Sequence, residues 1–153
     1  MRLERLADPA SREALLSGDL GDRDAAPGWP HEDSAPALGF LDSGGWTFLV
    51  IDDDGRVAGE CGTKAPPDAG GVVEIGYGLA APSRGRGLGG AAVRALVEWL
   101  AAREDVRHVE AEVHVGNVAS WRILERLGFA ATGDERSGYR RYAADVTADN
   151  GPS

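Results

Sequence analysis

Residues 74–100 read EIGYGLAAPSRGRGLGGAAVRALVEWL. Three textures follow one another in this stretch. Val72 to Leu79 (VVEIGYGL) is apolar and β-branched enough to predict a strand. From Leu88 the apolar residues Leu88, Ala92, Ala95, Leu96, Trp99 and Leu100 recur every three or four positions, which predicts a helix over 87–102. Between them lies Pro82-Ser83-Arg84-Gly85-Arg86-Gly87-Leu88-Gly89-Gly90. The first N–H groups of a helix lack intrahelical partners and sit at the positive end of its dipole, so an anion binds there. Glycines let a phosphate approach the backbone with no Cβ in the way. The stretch therefore reads as a phosphate or pyrophosphate loop between a strand and a long helix.

Several phosphate ligands fit that description. Gly85, Gly87 and Gly90 satisfy G-x-G-x-x-G, the dinucleotide fingerprint. Such a site opens the first βα turn of its fold and is followed by a second mononucleotide half. Here about half the chain precedes the loop, and too little follows. A P-loop is excluded because no G-K-[ST] occurs. A glycine-rich turn without a ligand is the bland alternative.

Outward from the loop, the chain alternates strands with helices. Residues 1–7 predict a strand and Ser11 to Leu16 the start of a helix; residues 18–36, rich in Gly, Asp and Pro, predict a loop with short helical turns. Trp46 to Asp52 and Arg56 to Thr63, joined at Asp54-Gly55, predict a hairpin. In Val109 to Val115 the residues Val109, Ala111, Val113 and Val115 face one way and Glu110, Glu112 and His114 the other. A short helix is predicted from Val118 to Leu127, with Asn117 as N-cap and Gly128 just past its end. Strands near 129–133 and 139–146 close the chain. The expectation is one mixed α/β domain over 1–147 and a flexible tail at 148–153.

Composition bounds the function. At 153 residues the chain holds one core, and 42% hydrophobic with 27% charged residues is ordinary for a globular domain. A net charge of −9 argues against nucleic acid as a partner and suits a cationic one. No apolar run approaches the length of a membrane span, and MRLERLADPASRE has no secretory apolar core. The lone Cys61 excludes a disulfide framework and fits a reducing compartment, so the cytoplasm is expected. No cluster of His and Cys has metal-ligand spacing, so no metal is expected.

Two blocks carry a resemblance to a known family. Arg84-x-x-Gly87-x-Gly89 fits the [QR]-x-x-G-x-[GA] signature of the GCN5-related (GNAT) acyltransferases, and the preceding strand and Pro82 match as well. HVEAEVHVGNVASWRILERLGF (108–129) resembles the next strand and helix, including Asn117-x-x-Ser120 and Leu127-Gly128-Phe129. These details look most like the branch of ribosomal-protein N-terminal acetyltransferases. The resemblance implies a central, mostly antiparallel twisted sheet of about six or seven strands, helices on both faces and two splayed central strands. It implies acetyl-CoA as donor and a primary amine, on a small molecule or a peptide N-terminus, as acceptor. A non-catalytic acyl-CoA-binding domain of the same fold is the alternative. Pairing of exposed final strands would offer a route to a homodimer.

The resemblance also assigns residues. Ile75, Tyr77 and Leu79 would line the pantetheine arm. Arg84, Gly85, Arg86, Gly87, Leu88, Gly89 and Gly90 would hold the pyrophosphate, and Asn117 would contact the cofactor or simply cap its helix. An ammonium has no lone pair, so the reaction needs a proton acceptor. Glu74 is the leading candidate, with pairing to a neighbouring arginine as its bland alternative. His114 is second, because its intrinsic pKa lies near neutrality. Many family members protonate the leaving thiolate with a tyrosine at the position that is Leu124 here, which leaves Ser120 as the substitute by position. Trp29 and Glu32 lie in the region that walls the acceptor site in this family.

Overall fold

A computed structural model describes residues 1–146; the tail expected at 148–153 lies outside them. The strands are β1 (Arg2–Leu6), β2 (Asp24–Ala25), β3 (Thr47–Ile51), β4 (Arg56–Thr63), β5 (Val72–Leu79), β6 (His108–His114), β7 (Ala130–Arg136) and β8 (Tyr139–Asp145). The helices are α1 (Ala10–Leu16), α2 (Ser34–Gly39), α3 (Leu88–Ala101) and α4 (Val118–Arg126). Two compact units divide β5 and α3 between them: Met1–Pro66 with Gly76–Leu96, and Pro67–Ile75 with the described residues from Val97 to Val146.

In the first unit β1 runs antiparallel to β3, from Arg2 opposite Ile51 to Leu6 opposite Thr47. β3 and β4 form the expected hairpin. Its turn is tied by Asp52 Oδ1, which accepts from Asp54 N at 3.0 Å and Arg56 N at 2.8 Å, and Gly55 takes the left-handed conformation that closes it. Every residue of β3 is buried, which accounts for its unbroken apolar run. Leu6, Leu15, Trp29, Leu38, Leu41, Leu49, Ile51, Val57 and Ala80 form the core of this unit. Two elements lie within and just after residues 18–36, a strand that was not predicted and a short helix where helical turns were. One is the two-residue β2, parallel to β4. The other is α2, six residues long with Pro36 in its first turn, where a missing N–H costs nothing. So short a helix leaves no periodicity to read.

In the second unit the start of β5 pairs parallel with β6, Val72 to Ile75 opposite His108 to Ala111. β6 pairs antiparallel with β8 along its whole length, and β8 with β7. The alternation predicted for β6 holds: Val109, Ala111 and Val113 are buried, while Glu110, Glu112 and His114 point away from the core. Among the described residues most ladders are antiparallel, which is incompatible with a doubly wound dinucleotide fold and agrees with the mixed sheet expected. No described helix is long and apolar enough to cross a membrane.

Candidate functional site

The glycine-rich loop belongs to the first unit. β5 ends in a short 3-10 turn (Ala81–Ser83), anchored by Ala80 N donating to Ala58 O at 2.8 Å and Ser83 N to Ala80 O at 2.9 Å. Gly85 and Gly87 then adopt φ of 79° and 78°, a region costly for any residue with a Cβ. The first helical bond of α3 runs from Ala91 N to Gly87 O, so the N–H groups before it have no acceptor inside the helix. Arg84, Gly85, Arg86 and Gly87 are exposed and Leu88, Gly89 and Gly90 half-buried. Arg84 folds back so that its Nε donates to Leu79 O at 3.2 Å. This is an open cradle of amides with two guanidinium groups beside it. On β5 the in-out alternation stops at Ile75, and Gly76, Tyr77, Gly78 and Leu79 are all half-buried.

The first unit also holds a group that sequence reading missed. Glu60 on β4 is 1% exposed. Its Oε1 accepts from Trp29 Nε1 at 3.2 Å and from Ser34 Oγ at 2.5 Å. Its Oε2 lies 2.8 Å from His31 Nε2, and His31 Nδ1 accepts from Asp33 N at 3.3 Å. Trp29, expected on an acceptor wall, is itself 5% exposed and serves this carboxylate, while Glu32 is exposed. Glu60 lines a small open pocket of ≈ 60 Å³ with Asp33, Thr47, Thr63, Gly76, Tyr77 and Gly78. Next to it, burial and then the Glu60 charge push the Cys61 thiol up to about 12, so Cys61 is an inert filler. A carboxylate in RVAGECGT, amid residues suited to a core, was the available signal.

In the second unit Glu74 takes its bland alternative. Its Oε1 is 3.3 Å from Arg141 Nη1, and the same guanidinium lies 3.0 Å from Glu112 and 3.9 Å from Glu110. Burial pulls the Arg141 pKa down, but the charge and hydrogen bond of Glu74, then Glu110 and Glu112, leave it above its ordinary value. His114 is exposed; its Nδ1 accepts from Gly116 N at 3.1 Å and its ring meets Tyr139 edge-on at 5.3 Å. Asn117 caps α4, its side chain accepting from Ser120 N at 3.3 Å, and Ser120 is buried behind the cap. Leu124 is fully buried, a core residue rather than an acid. Tyr142 is also buried, its hydroxyl accepting from Arg140 at 3.4 Å.

Residues 5–130 match the family model described as the acetyltransferase (GNAT) domain. The uncharacterized N-acetyltransferase YjdG of Bacillus subtilis (strain 168) is 29% identical over 111 residues, which is 66% of this chain and 66% of that protein. The chain thus spans about two thirds of that relative's length. Among solved structures, RimL, a ribosomal L7/L12 α-N-protein acetyltransferase in complex with coenzyme A, superposes with a TM-score of 0.67 at 22% identity, over 96% of each chain. The phosphinothricin acetyltransferase of Sinorhizobium meliloti in complex with acetyl-CoA superposes with 0.64 at 22% identity, over 95% of this chain and 88% of its own.

Proposed function

The chain belongs to the acetyltransferase (GNAT) domain family, and from that premise we propose that it transfers an acetyl group from acetyl-CoA to a primary amine. The observation that carries the proposal is the loop from Arg84 to Gly90. Gly85 and Gly87 are left-handed just before α3, where the first N–H groups lack helical acceptors, and Arg84 and Arg86 are exposed. A pyrophosphate there accepts from backbone N–H groups and gains charge-assisted bonds from Arg84 and Arg86. The half-buried backbone of Gly76 to Leu79 leads into the loop and suits an extended pantetheine arm, which hydrogen-bonds as an added strand would. Solved structures similar to this chain were obtained with coenzyme A or acetyl-CoA, which supports the donor.

Attack by a neutral amine on the thioester carbonyl forms the C–N bond and breaks the C–S bond. Glu74, His114 and Ser120 are the sequence's nominees for moving protons, and Asn117 for touching the cofactor. Residues 18–33 keep the acidic character that suits a cationic acceptor. A cytoplasmic location fits the reduced, buried Cys61. β7, exposed at every residue, is an edge strand that suits pairing in a homodimer. The engagement of Glu74 by Arg141 favours one second reading, a domain that binds acyl-CoA without turning it over.

Release of free thiol from acetyl-CoA, followed with a panel of primary amines, separates the two. Turnover with at least one amine, and a KM for acetyl-CoA raised about tenfold or more by Arg84→Glu, supports the enzyme. Binding without turnover across the panel supports the sensor.

A further inference from the structure

We propose that Glu60 and His31 form the subsite that holds the acceptor's ammonium and takes its proton. The inference rests on the acetyltransferase function proposed above and names the group that activates the acceptor. An ionised carboxylate offers about four lone-pair sites. At Glu60, three have partners among the described residues: Trp29 Nε1 and Ser34 Oγ on Oε1, and His31 Nε2 on Oε2. The fourth belongs to Oε2. That oxygen lies against β5, where a Cβ on Gly78 would stand 2.9 Å from it and 3.0 Å from His31 Cε1. Glycine at 78 is what lets the carboxylate and the imidazole lie this close to β5, and Glu60 lines the same pocket as Gly76, Tyr77 and Gly78 of the strand segment suited to the pantetheine arm.

The partners of Glu60 point to a cation. Among the described residues Glu60 hydrogen-bonds to Trp29, Ser34 and His31, so its buried carboxylate is met by neutral dipoles and one imidazole. A buried carboxylate gains most from a full counter-charge, and a primary ammonium supplies one, with three N–H donors. The other titratable groups facing the pocket are Asp33, Cys61 and Tyr77, with Lys64 Cε 3.9 Å from the place of a Cβ on Gly76. His31 is set in one tautomer. Its Nδ1 accepts from Asp33 N, so Nε2 carries the hydrogen and donates to Oε2, fixing the carboxylate's orientation.

The proton step balances. An N–H bond of the ammonium breaks and an O–H bond forms on Glu60 Oε2, leaving the lone pair on nitrogen. That pair attacks the thioester carbon, the C–S bonding pair leaves with sulfur, and the thiolate takes the second proton of the acylated nitrogen. Glu60 returns its proton to solvent after turnover.

The test uses the whole chain with acetyl-CoA bound. Wild type, Glu60→Gln, His31→Gln and Glu74→Gln are compared for acetyl-CoA affinity and for acetylation of 1,3-diaminopropane, an amino-acid amide and a tripeptide with a free N-terminus. Glu60→Gln is expected to lower kcat/KM by about a hundredfold at neutral pH, with acetyl-CoA affinity within about twofold. The deficit should narrow as pH approaches the amine's own pKa, since a free amine needs no base. His31→Gln should cost less, and Glu74→Gln least. In parallel, n-propylammonium should shift the 15N resonances of the His31 ring in wild type and leave them unmoved in Glu60→Gln. A Glu60→Gln enzyme with the wild-type rate and pH profile, a deficit equal at every pH, or no His31 shift would each overturn the subsite. Wild type that binds no acetyl-CoA would instead sink the acetyltransferase function itself.

Discussion

Two strand carboxylates, both short of full exposure, meet opposite fates in this molecule. Glu60 is buried on β4 among neutral donors from Trp29, Ser34 and His31. Glu74 is half-buried on β5 and sits in a cluster where one guanidinium, Arg141, serves three carboxylates. A charge met by dipoles keeps the capacity to accept a cation or a proton. A charge met by arginine has already found its partner, and any amine must compete for it. The difference lies in what surrounds each residue rather than in residue type or position along a strand.

The largest effect that would test this contrast comes from Glu60→Ala. It orphans an indole N–H, a hydroxyl and an imidazole N–H in the core, and should cost about 3 kcal/mol. Denaturant or thermal unfolding checks it, the expected fall in Tm being about 10 °C for a chain of this size. Loss below about 1 kcal/mol would place Glu60 in the same class as Glu74.

Arg141→Met should cost about 1 kcal/mol, because it leaves Glu74, Glu110 and Glu112 facing one another without their cation. The loss should shrink in high salt, which screens their repulsion. Salt-independent destabilisation would mean that Arg141 acts by packing its stem instead. Asn117→Ala sharpens the picture in the second unit: removal of the α4 cap should cost about 1 kcal/mol, with acetyl-CoA affinity unchanged if the cap is its whole role.

The smallest effect concerns Cys61, whose thiol senses both burial and the Glu60 charge. A thiol reagent should leave native protein unlabelled at pH 8 and label it fully in denaturant. The folded state holds this proton more tightly than the unfolded state, which ionises near 9. Stability therefore falls as pH rises from about 9 towards about 12. Rapid native labelling would contradict the burial of β4 on which the Glu60 cluster depends.

Much of the fold was legible because period and punctuation agree. The β3–β4 hairpin announced itself by Asp54-Gly55 between two apolar runs, β6 by clean alternation, and α3 by apolar residues at helical spacing. α2 was legible only as a short helical turn, because six residues with a proline in the first turn carry no repeat. The glycine-rich loop between β5 and α3 was legible as a loop from its composition, and the structure adds the left-handed conformations of Gly85 and Gly87. The Glu60 cluster was not legible, since it joins residues 26 to 31 positions apart whose partnership depends on how the 29–34 segment lies against β4. Trp29 illustrates the limit: the region was read as an acceptor wall, yet the indole itself is core and acts on Glu60 through one hydrogen bond. Likewise Glu74 was legible as a polar residue on an apolar strand, but Arg141, 67 positions away, was not.

The measurement that bears most directly on the central claim is calorimetric titration of the chain with acetyl-CoA, alongside NADH and the Arg84→Glu variant. Micromolar binding of acetyl-CoA, no heat with NADH, and affinity at least about tenfold weaker in the variant are expected if the loop before α3 holds a coenzyme A pyrophosphate. No binding of acetyl-CoA by well-folded wild type, or equal binding by Arg84→Glu, would contradict it.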